Sequence, residues 1–323
     1  MKAIVYTEYG SADVLKLKEL EKPAPKENEV LIKVHAASTN PADWHLMRAE
    51  PFLARLANGI LGPKNTRLGS DVAGIVEAVG TNVKQLQVDD EVFGSMPLEL
   101  LGSFAEYVCA PKELLALKPA NLTFEKAAAV PLAAYTALQG LRDKGRIKSG
   151  QKVLVNGAAG GVGTFAVQIA KSYGTEVTGV CSTRNLEMVR SIGADHVIDY
   201  TKEDVTQSGG RYDLVFDAVG NLSISDCKRL LTPDGIGSVA GFTNLSRLFQ
   251  LMLFGGKNIG LMETAKGNKK DLVFLKELLE AGKVVPVIDR AYPLSEVPAA
   301  IRYLEKGHAR GKVVITVGKN NEI

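Results

Sequence analysis

The chain has 323 residues, 46% of them hydrophobic and 32 of them glycine, which is enough for two globular domains with cores of their own. Its 39 basic and 36 acidic residues give a formal charge of +3, and no run of like charge is longer than the three residues Asp89-Asp90-Glu91. This balance gives no electrostatic case for nucleic acid or an anionic membrane as a partner, and no stretch approaches the ~20 apolar residues of a membrane span.

Short runs of β-forming residues, separated by Pro, Gly and Asn, fill the first part of the chain. The candidate strands are 2–6, 29–37, 72–79, 91–94 and 104–109. This irregular spacing predicts a mostly antiparallel β domain, which we place at residues 1–122. Thr123 is a candidate N-cap for a helix over 124–130, and a second helix is predicted over 133–143.

An apolar strand runs into a glycine-rich turn at 153–163, and helical spacing continues over 164–171. Glycines at this spacing let the chain reverse tightly, expose backbone N–H groups and point a helix N-terminus at a pyrophosphate. We therefore interpret the turn as a dinucleotide-binding site. Its residues are Gly157, Ala159, Gly160, Gly161, Val162 and Gly163.

Strands and helices alternate after the turn. Strands are predicted at 176–181, 196–198 and 212–219, with a helix from Asn185 between the first two. This alternation is typical of parallel βαβ units, so we place a doubly wound parallel sheet at residues 123–260. The alternation of strands and helices ends after Gly241. A helix at 271–281 and a last strand at 312–317 follow, and we assign residues 261–323 to a return to the first domain.

Four stretches together resemble the medium-chain dehydrogenase/reductase superfamily, specifically its zinc-free quinone oxidoreductase branch. They are GSDVAGIVEAVG at 69–80, AAGGVG at 158–163, GADHVIDY at 193–200, and 213–220. The resemblance covers essentially the whole chain. It implies an α/β fold with a GroES-like, mostly β catalytic domain, a Rossmann domain and an active site in the cleft between them.

The resemblance also bears on metal binding. Zinc members of the superfamily carry a Cys-x-x-Asp stretch where this chain has Asn40-Pro41-Ala42-Asp43, and a Gly-His-Glu where it has Gly69-Ser70-Asp71. Nor is there a cysteine near 131–136, where a further ligand is expected. Because catalytic zinc needs three protein ligands, we predict no metal site. His45 is interpreted as packing beside Trp44, in preference to forming a metal site with Asp43.

The three cysteines, Cys109, Cys181 and Cys227, lie far apart and form no Cys-x-x-Cys pair. This usage fits a reducing compartment, and Cys181 is interpreted as a small core hydrophobe. The first ten residues carry charges where a secretory signal needs an apolar run. We therefore predict a cytoplasmic location.

The predicted cofactor is NADPH. An NAD-selective fold places a carboxylate at the end of the second strand, but residues 181–185 read CSTRN. Ser182 and Arg184 could instead hold a 2′-phosphate, because guanidinium matches phosphate in charge and geometry. The alternative is that Arg184 faces solvent. The resemblance implies that Tyr200 also contacts the cofactor. It suggests the same role for Lys171, for which a solvated helix residue is an equal alternative. It also assigns to the cofactor site Thr136, Val219, Gly241 and Phe242.

Without a Lewis acid, charge that grows on a simple carbonyl oxygen lacks a strong stabiliser. Quinones and α,β-unsaturated carbonyl compounds delocalise that charge, so positioning and hydrogen-bond donors suffice. We therefore predict an NADPH-dependent quinone or enone reductase, with Asn40 as the donor and Asp43 orienting its loop. The alternatives are a polyketide-type enoyl reductase and an NADPH-binding structural or regulatory protein with little turnover. The resemblance also implies a homodimer.

Overall fold

The structure, a computed structural model, describes residues 1–50, 55, 58–241, 250–251, 253 and 255–318. The chain divides into two compact units. Unit 1 comprises Met1–Leu132, Lys266–Glu280 and Ile288–Ile323, and unit 2 comprises Ala133–Ala265 and Ala281–Val287. The middle of the chain therefore forms one unit, and both ends contribute to the other. The sequence-based boundaries after residues 122 and 260 stay predictions.

Strands and helices of the described residues are numbered in chain order. The strands are β1 (Lys2–Val5), β2 (Lys16–Glu19), β3 (Glu29–Ser38), β4 (Asp71–Val79), β5 (Glu91–Ser95), β6 (Tyr107–Pro111), β7 (Leu115–Leu117), β8 (Lys152–Asn156), β9 (Glu176–Cys181), β10 (His196–Asp199), β11 (Tyr212–Asp217), β12 (Leu231–Val239), β13 (Ile259–Leu261), β14 (Ile288–Pro293) and β15 (Lys312–Thr316). The helices are α1 (Pro41–Arg48), α2 (Phe124–Ala128), α3 (Pro131–Gln139), α4 (Gly161–Ser172), α5 (Leu186–Ser191), α6 (Ile224–Leu230), α7 (Lys269–Glu280) and α8 (Val297–Glu305).

Short turns of helix connect several of these elements. A π-helical turn spans Gly140–Lys144, and 3-10 turns lie at Ala12–Val14, Leu98–Leu100, Lys112–Leu114, Thr183–Asn185, Val205–Gln207 and Leu294–Glu296. Among the described residues, none of the helices combines the length and the apolar character that crossing a membrane requires.

Unit 1 is built on a seven-stranded sheet in the order β14-β15-β3-β4-β5-β7, with β6 also paired to β3. Its strands pair antiparallel except β14 with β15. Val30, Ile32 and Val34 of β3 belong to the same hydrophobic core cluster because alternate side chains of a strand point to the same face. The mostly β, GroES-like domain predicted from the sequence is confirmed.

The ends of three strands of unit 1 place polar residues side by side. Ser38, the last residue of β3, pairs with Asp71, the first residue of β4. On its other side Ser38 pairs with Val314, two residues after Lys312 opens β15. Sheet register therefore brings Ser38, Asp71 and Lys312 together at one end of these three strands, directly before α1.

Unit 2 contains a six-stranded, wholly parallel sheet in the order β10-β9-β8-β11-β12-β13. From β8 the chain winds outward through α4 and α5 to β10, and it returns to pair β11 on the other side of β8. The predicted doubly wound sheet is confirmed. The order reverses between β8 and β11, and ligands of such sheets bind outside the carboxyl ends of the strands at this switch point.

Several local predictions can be compared with the described elements. Thr123 caps α2, accepting a hydrogen bond from the backbone N–H of Lys126 at 3.3 Å, as predicted. The helix predicted over 133–143 is α-helical only to Gln139 and then continues as the π-helical turn. Strand β2 was missed because its residues are exposed on both faces, which removes the alternation that marks a half-buried strand.

Candidate functional site

The glycine turn of unit 2 closes tightly between β8 and α4. The N–H groups of Gly157 and Ala158 both donate to the carbonyl of Val180 on β9, at 3.2 and 3.0 Å, and Gly160 N–H donates to Gly157 O at 3.0 Å. Helix α4 begins at Gly161, so the first N–H groups of the helix have no acceptor within it. These groups and the helix dipole make the turn a site for negative charge.

Three glycines of the motif can be tested by asking what a Cβ would meet. A Cβ at Gly163 would lie 2.0 Å from the carbonyl oxygen of Gly157, so this glycine lets α4 pack on the turn. Gly157 has a φ of +81°, and its Cβ would lie 2.5 Å from a Val219 methyl carbon. At Gly160 the nearest atom is Gly157 O at 3.5 Å, an ordinary contact. Protein packing does not require glycine at 160, whereas close approach of a pyrophosphate does. The turn therefore fits a dinucleotide.

Most of the other predicted cofactor residues of unit 2 follow the strands of its sheet. Ser182 follows β9, Tyr200 follows β10, Val219 lies just after β11 and Gly241 just after β12. All four therefore lie at the carboxyl edge, with the glycine turn. The Tyr200 and Val219 side chains are 58% and 44% exposed. Thr136 lies in α3 and is half-buried. Phe242 lies outside the described residues.

The structure adds a carboxylate that the sequence argument about residues 181–185 missed. Asp199, the last residue of β10, accepts hydrogen bonds from the hydroxyls of Thr183 and Thr201 at 2.5 and 2.6 Å. These bonds, that of Thr183 first, lower the pKa of the carboxyl, so it is ionised at neutral pH. Parallel pairing of β9 and β10 brings Asp199 beside the end of β9, a contact between residues 16 apart in sequence.

Lys171, predicted as either a phosphate ligand or a solvated helix residue, is one-third exposed and forms an ion pair. Its ammonium donates to both carboxylate oxygens of Asp195, at 2.8 and 2.7 Å, and to the carbonyl of Thr175 at 3.0 Å. Asp195 precedes β10 and also accepts from the N–H of Val177 near the start of β9. Lys171 therefore stabilises the amino edge of the sheet. Ten residues of helix, about 15 Å, separate it from Gly161 at the carboxyl edge.

In unit 1, Asn40 lies in a buried polar cluster, which we define as Ser38, Asn40, Ser70, Asp71 and Lys312. The Asn40 amide Nδ2 donates to Asp71 Oδ2 at 2.9 Å and, over longer distances, to Ser70 Oγ at 3.3 Å and Ser38 O at 3.4 Å. Its Oδ1 accepts from Lys312 Nζ at 2.6 Å. Lys312 was not identified from the sequence, because it is 272 residues from Asn40 and no local motif contains both.

Asp43 lies in the first turn of α1. Its carboxylate accepts from the backbone N–H of Asn40 at 2.7 Å and from that of Gly69 at 2.9 Å, and Asp43 N–H donates to Asn40 O at 3.0 Å. The residue thus connects the start of the helix to the loop before β4. Burial raises the pKa of the Asp43 carboxyl to about 7, against the two backbone hydrogen bonds that lower it.

His45 and Cys181 have the environments that the sequence favoured. The rings of Trp44 and His45 stack with centroids 3.6 Å apart, and His45 Nδ1 lies 2.7 Å from Glu50 O. All three cysteines are free. Cys181 is buried, and desolvation raises the pKa of its thiol to about 11, so it behaves as a core residue.

A glycine turn at the switch point of a parallel sheet, together with a GroES-like β unit, defines a dinucleotide-dependent oxidoreductase. Residues 26–120 match the family described as alcohol dehydrogenase GroES-like domain, and residues 192–315 match zinc-binding dehydrogenase. The chain belongs to the medium-chain dehydrogenase/reductase superfamily and, within it, to the quinone oxidoreductase branch. It is therefore an oxidoreductase that uses a nicotinamide cofactor, and the resemblance stated from the sequence is confirmed.

Individual relatives align over nearly the whole chain. The chain is 41% identical to the 2-methylene-furan-3-one reductase of Solanum lycopersicum, over 98% of this chain and 79% of that protein. Identity and coverage are the same for the NADPH-dependent alkenal/one oxidoreductase, chloroplastic, of Arabidopsis thaliana. Among solved structures, the quinone oxidoreductase from Coxiella burnetii has a TM-score of 0.88 at 33% identity, covering 98% of this chain and 99% of that one.

The second family description implies zinc, but the residues at the matching positions do not fit it. Asn40 and Ser70 occupy the positions at which zinc members of the superfamily carry metal ligands, and neither is a usual zinc ligand. The Lys312 ammonium lies 2.6 Å from Asn40 Oδ1 and 3.5 Å from Asp71 Oδ2, so a cation already occupies the neighbourhood. Among the described residues, no cluster of three or more His, Cys, Asp or Glu side chains is arranged to hold a metal.

Proposed function

We propose that this protein is an NADPH-dependent reductase of quinones or α,β-unsaturated carbonyl compounds that works without zinc. The observation that carries the proposal is the glycine turn, in which Gly160 has room for a side chain within the protein yet carries none. The names of the relatives, which are an alkenal/one oxidoreductase, a 2-methylene-furan-3-one reductase and a quinone oxidoreductase, support the acceptor class.

The residues at the ends of β9 and β10 favour NADPH over NADH. Ser182 and the exposed Arg184 follow β9, and the exposed Tyr200 follows β10. A guanidinium and two hydroxyls at the carboxyl ends of these strands would hold a 2′-phosphate through charge-assisted hydrogen bonds. The Asp199 carboxylate is engaged by Thr183 and Thr201. Its lone pairs are therefore less available to the 2′-hydroxyl of NADH.

The acceptor class follows from the chemistry available to the buried polar cluster. When bound, reduced nicotinamide supplies a hydride, which adds to the β-carbon of an enone and leaves negative charge on the carbonyl oxygen. Asn40 Nδ2 has one short acceptor, Asp71, and its second hydrogen has only long contacts to Ser70 and Ser38. We assign that hydrogen to the substrate oxygen. A proton from solvent on the α-carbon completes the reduction.

The test is a spectrophotometric assay of NADPH oxidation with a 1,4-quinone, a medium-chain enone, a crotonyl thioester and a simple aldehyde. The proposal expects turnover of the quinone or the enone at least tenfold above that of the aldehyde. Preference for the thioester would favour the polyketide-type enoyl reductase. NADPH binding without turnover of any acceptor would favour the structural or regulatory alternative and refute the proposal.

We further propose that the protein is a homodimer and acts in the cytoplasm. Among the strands that the structure describes, β13 lies at an edge of the parallel sheet and pairs with β12 alone, and edge strands are templates for pairing with a second chain. Three free cysteines fit a reducing compartment. Light scattering after size exclusion tests the dimer, where a monomer mass would refute it. Fractionation of the source cells tests the location.

A further inference from the structure

The buried polar cluster of unit 1 contains a lysine that is 4% exposed. Lys312 Nζ has three oxygen acceptors: Asn40 Oδ1 at 2.6 Å, Thr39 O at 3.2 Å and Asp71 Oδ2 at 3.5 Å. An ammonium has three hydrogens, so its donors are all engaged. Burying an ammonium is costly unless it is paired, and the carboxylate of Asp71 supplies the pair.

These contacts decide which way the Asn40 amide faces. An amide has an acceptor end and a donor end that exchange places on a half-turn of the side chain. Lys312 can only donate and an ionised Asp71 can only accept. Oδ1 must therefore face Lys312, and Nδ2 must face Asp71, as observed. Reversing the amide would set two donors against each other at one end and two acceptors at the other.

The ammonium also affects how strongly Asn40 can donate. A positive charge 2.6 Å from Oδ1 draws electron density toward that oxygen and makes the N–H bonds of the same amide more polar. A fixed positive charge in a buried site stabilises negative charge that develops nearby, without reorganisation during the reaction. Both effects would act on a substrate oxygen that accepts from Asn40, and neither requires contact between Lys312 and that oxygen.

We infer that Lys312 is a positioning residue for reduction, which holds the Asn40 carboxamide with its donor end toward the substrate oxygen and supplies positive charge behind it. The inference rests on the proposed function, because it requires Asn40 to donate to the acceptor. The competing account is purely structural, in which Lys312 only neutralises Asp71 and joins β15 to β4.

The test compares Lys312→Met, which keeps an apolar side chain of similar length, with Lys118→Met as a matched control. Lys118 is also a largely buried lysine of unit 1. It donates to the carbonyls of Pro119 and Leu122 and pairs with Glu91, none of which belongs to the buried polar cluster. We expect Lys312→Met to lower kcat with the preferred quinone or enone at least tenfold. Lys118→Met should leave kcat within twofold, and the Kd for NADPH should change less than twofold in both.

A double-mutant cycle with Asn40→Ala separates the two accounts. If Lys312 acts through Asn40, the double variant is no slower than Asn40→Ala alone. If the role is structural, the two losses multiply, or Lys312→Met loses thermal stability without losing kcat; either result overturns the inference. Unchanged kcat in Asn40→Ala refutes the donor assigned under the proposed function, and an inactive wild type refutes the proposed function itself.

A second variant keeps the inference testable if Lys312→Met does not fold. Lys312→Gln retains an N–H donor for Asn40 Oδ1 but removes the charge, so it separates orientation from electrostatics. We expect its kcat to fall by at least threefold, at an unchanged Kd for NADPH. Wild-type kcat in Lys312→Gln would overturn the electrostatic part of the inference. If this variant also fails to fold, Lys312 is required for the fold and the structural account stands.

Discussion

The role of Gly160 can be tested by adding a single methyl group. In Gly160→Ala, the new Cβ would lie 3.5 Å from the nearest protein atom, and the backbone φ of −81° with ψ of 174° suits alanine. Two small effects oppose each other in the free protein. Alanine reduces the entropy of the unfolded chain, which stabilises by about 0.4–1 kcal/mol, but it is a poorer helix N-cap than glycine. We expect Tm to shift by no more than about 4 °C.

The cofactor complex should respond differently. If the pyrophosphate approaches the backbone at this glycine, the methyl group overpacks the complex, at a cost of about 1–3 kcal/mol. That cost corresponds to a rise in the Kd for NADPH of about 5- to 150-fold. The assays are thermal unfolding without cofactor and titration of NADPH fluorescence. An unchanged Kd would refute the assignment of the turn, and a large loss of Tm would refute the packing argument.

Four further outcomes are expected. Gly163→Ala places a Cβ 2.0 Å from Gly157 O, so it should lower the stability of the cofactor-free protein by about 1–3 kcal/mol or more in thermal unfolding; an unchanged Tm would contradict the contact. Arg184→Ala should raise the KM for NADPH about tenfold and that for NADH little, with exposed Arg190→Ala as the control; equal changes in both KM values would exclude a phosphate contact. Burial raises the folded-state pKa of Asp43 from 3.8 to about 7, so its contribution to stability is complete below pH 4 and is lost as the pH rises through 7; the unfolding free energy of Asp43→Asn should therefore depend less on pH over this window, and parallel curves would contradict this. Metal analysis of the purified protein should find no stoichiometric zinc, and one zinc per chain would overturn the misfit of the Asn40 region.

The fold around the glycine turn could be predicted from the sequence because its signal is local. The glycine spacing, the apolar strand before it and the helix after it lie within one continuous stretch, and each glycine has a steric or ligand-related reason that spacing alone can indicate. The residues after β9 and β10 were harder to interpret. Residues 181–185 contain no carboxylate, yet parallel pairing places Asp199 beside that segment, and the local sequence could not show this.

By itself, the sequence determined the two kinds of sheet and the strand, turn and helix around the glycines, because these depend on side-chain periodicity and backbone geometry over short distances. Tertiary structure alone decided what surrounds Asn40. Strands β3, β4 and β15 bring Ser38, Asp71 and Lys312 together from widely separated parts of the chain. Hydrogen bonds and burial depend on distance in space and not in sequence. The register of these strands therefore determines which end of the Asn40 amide faces Lys312 and which faces Asp71.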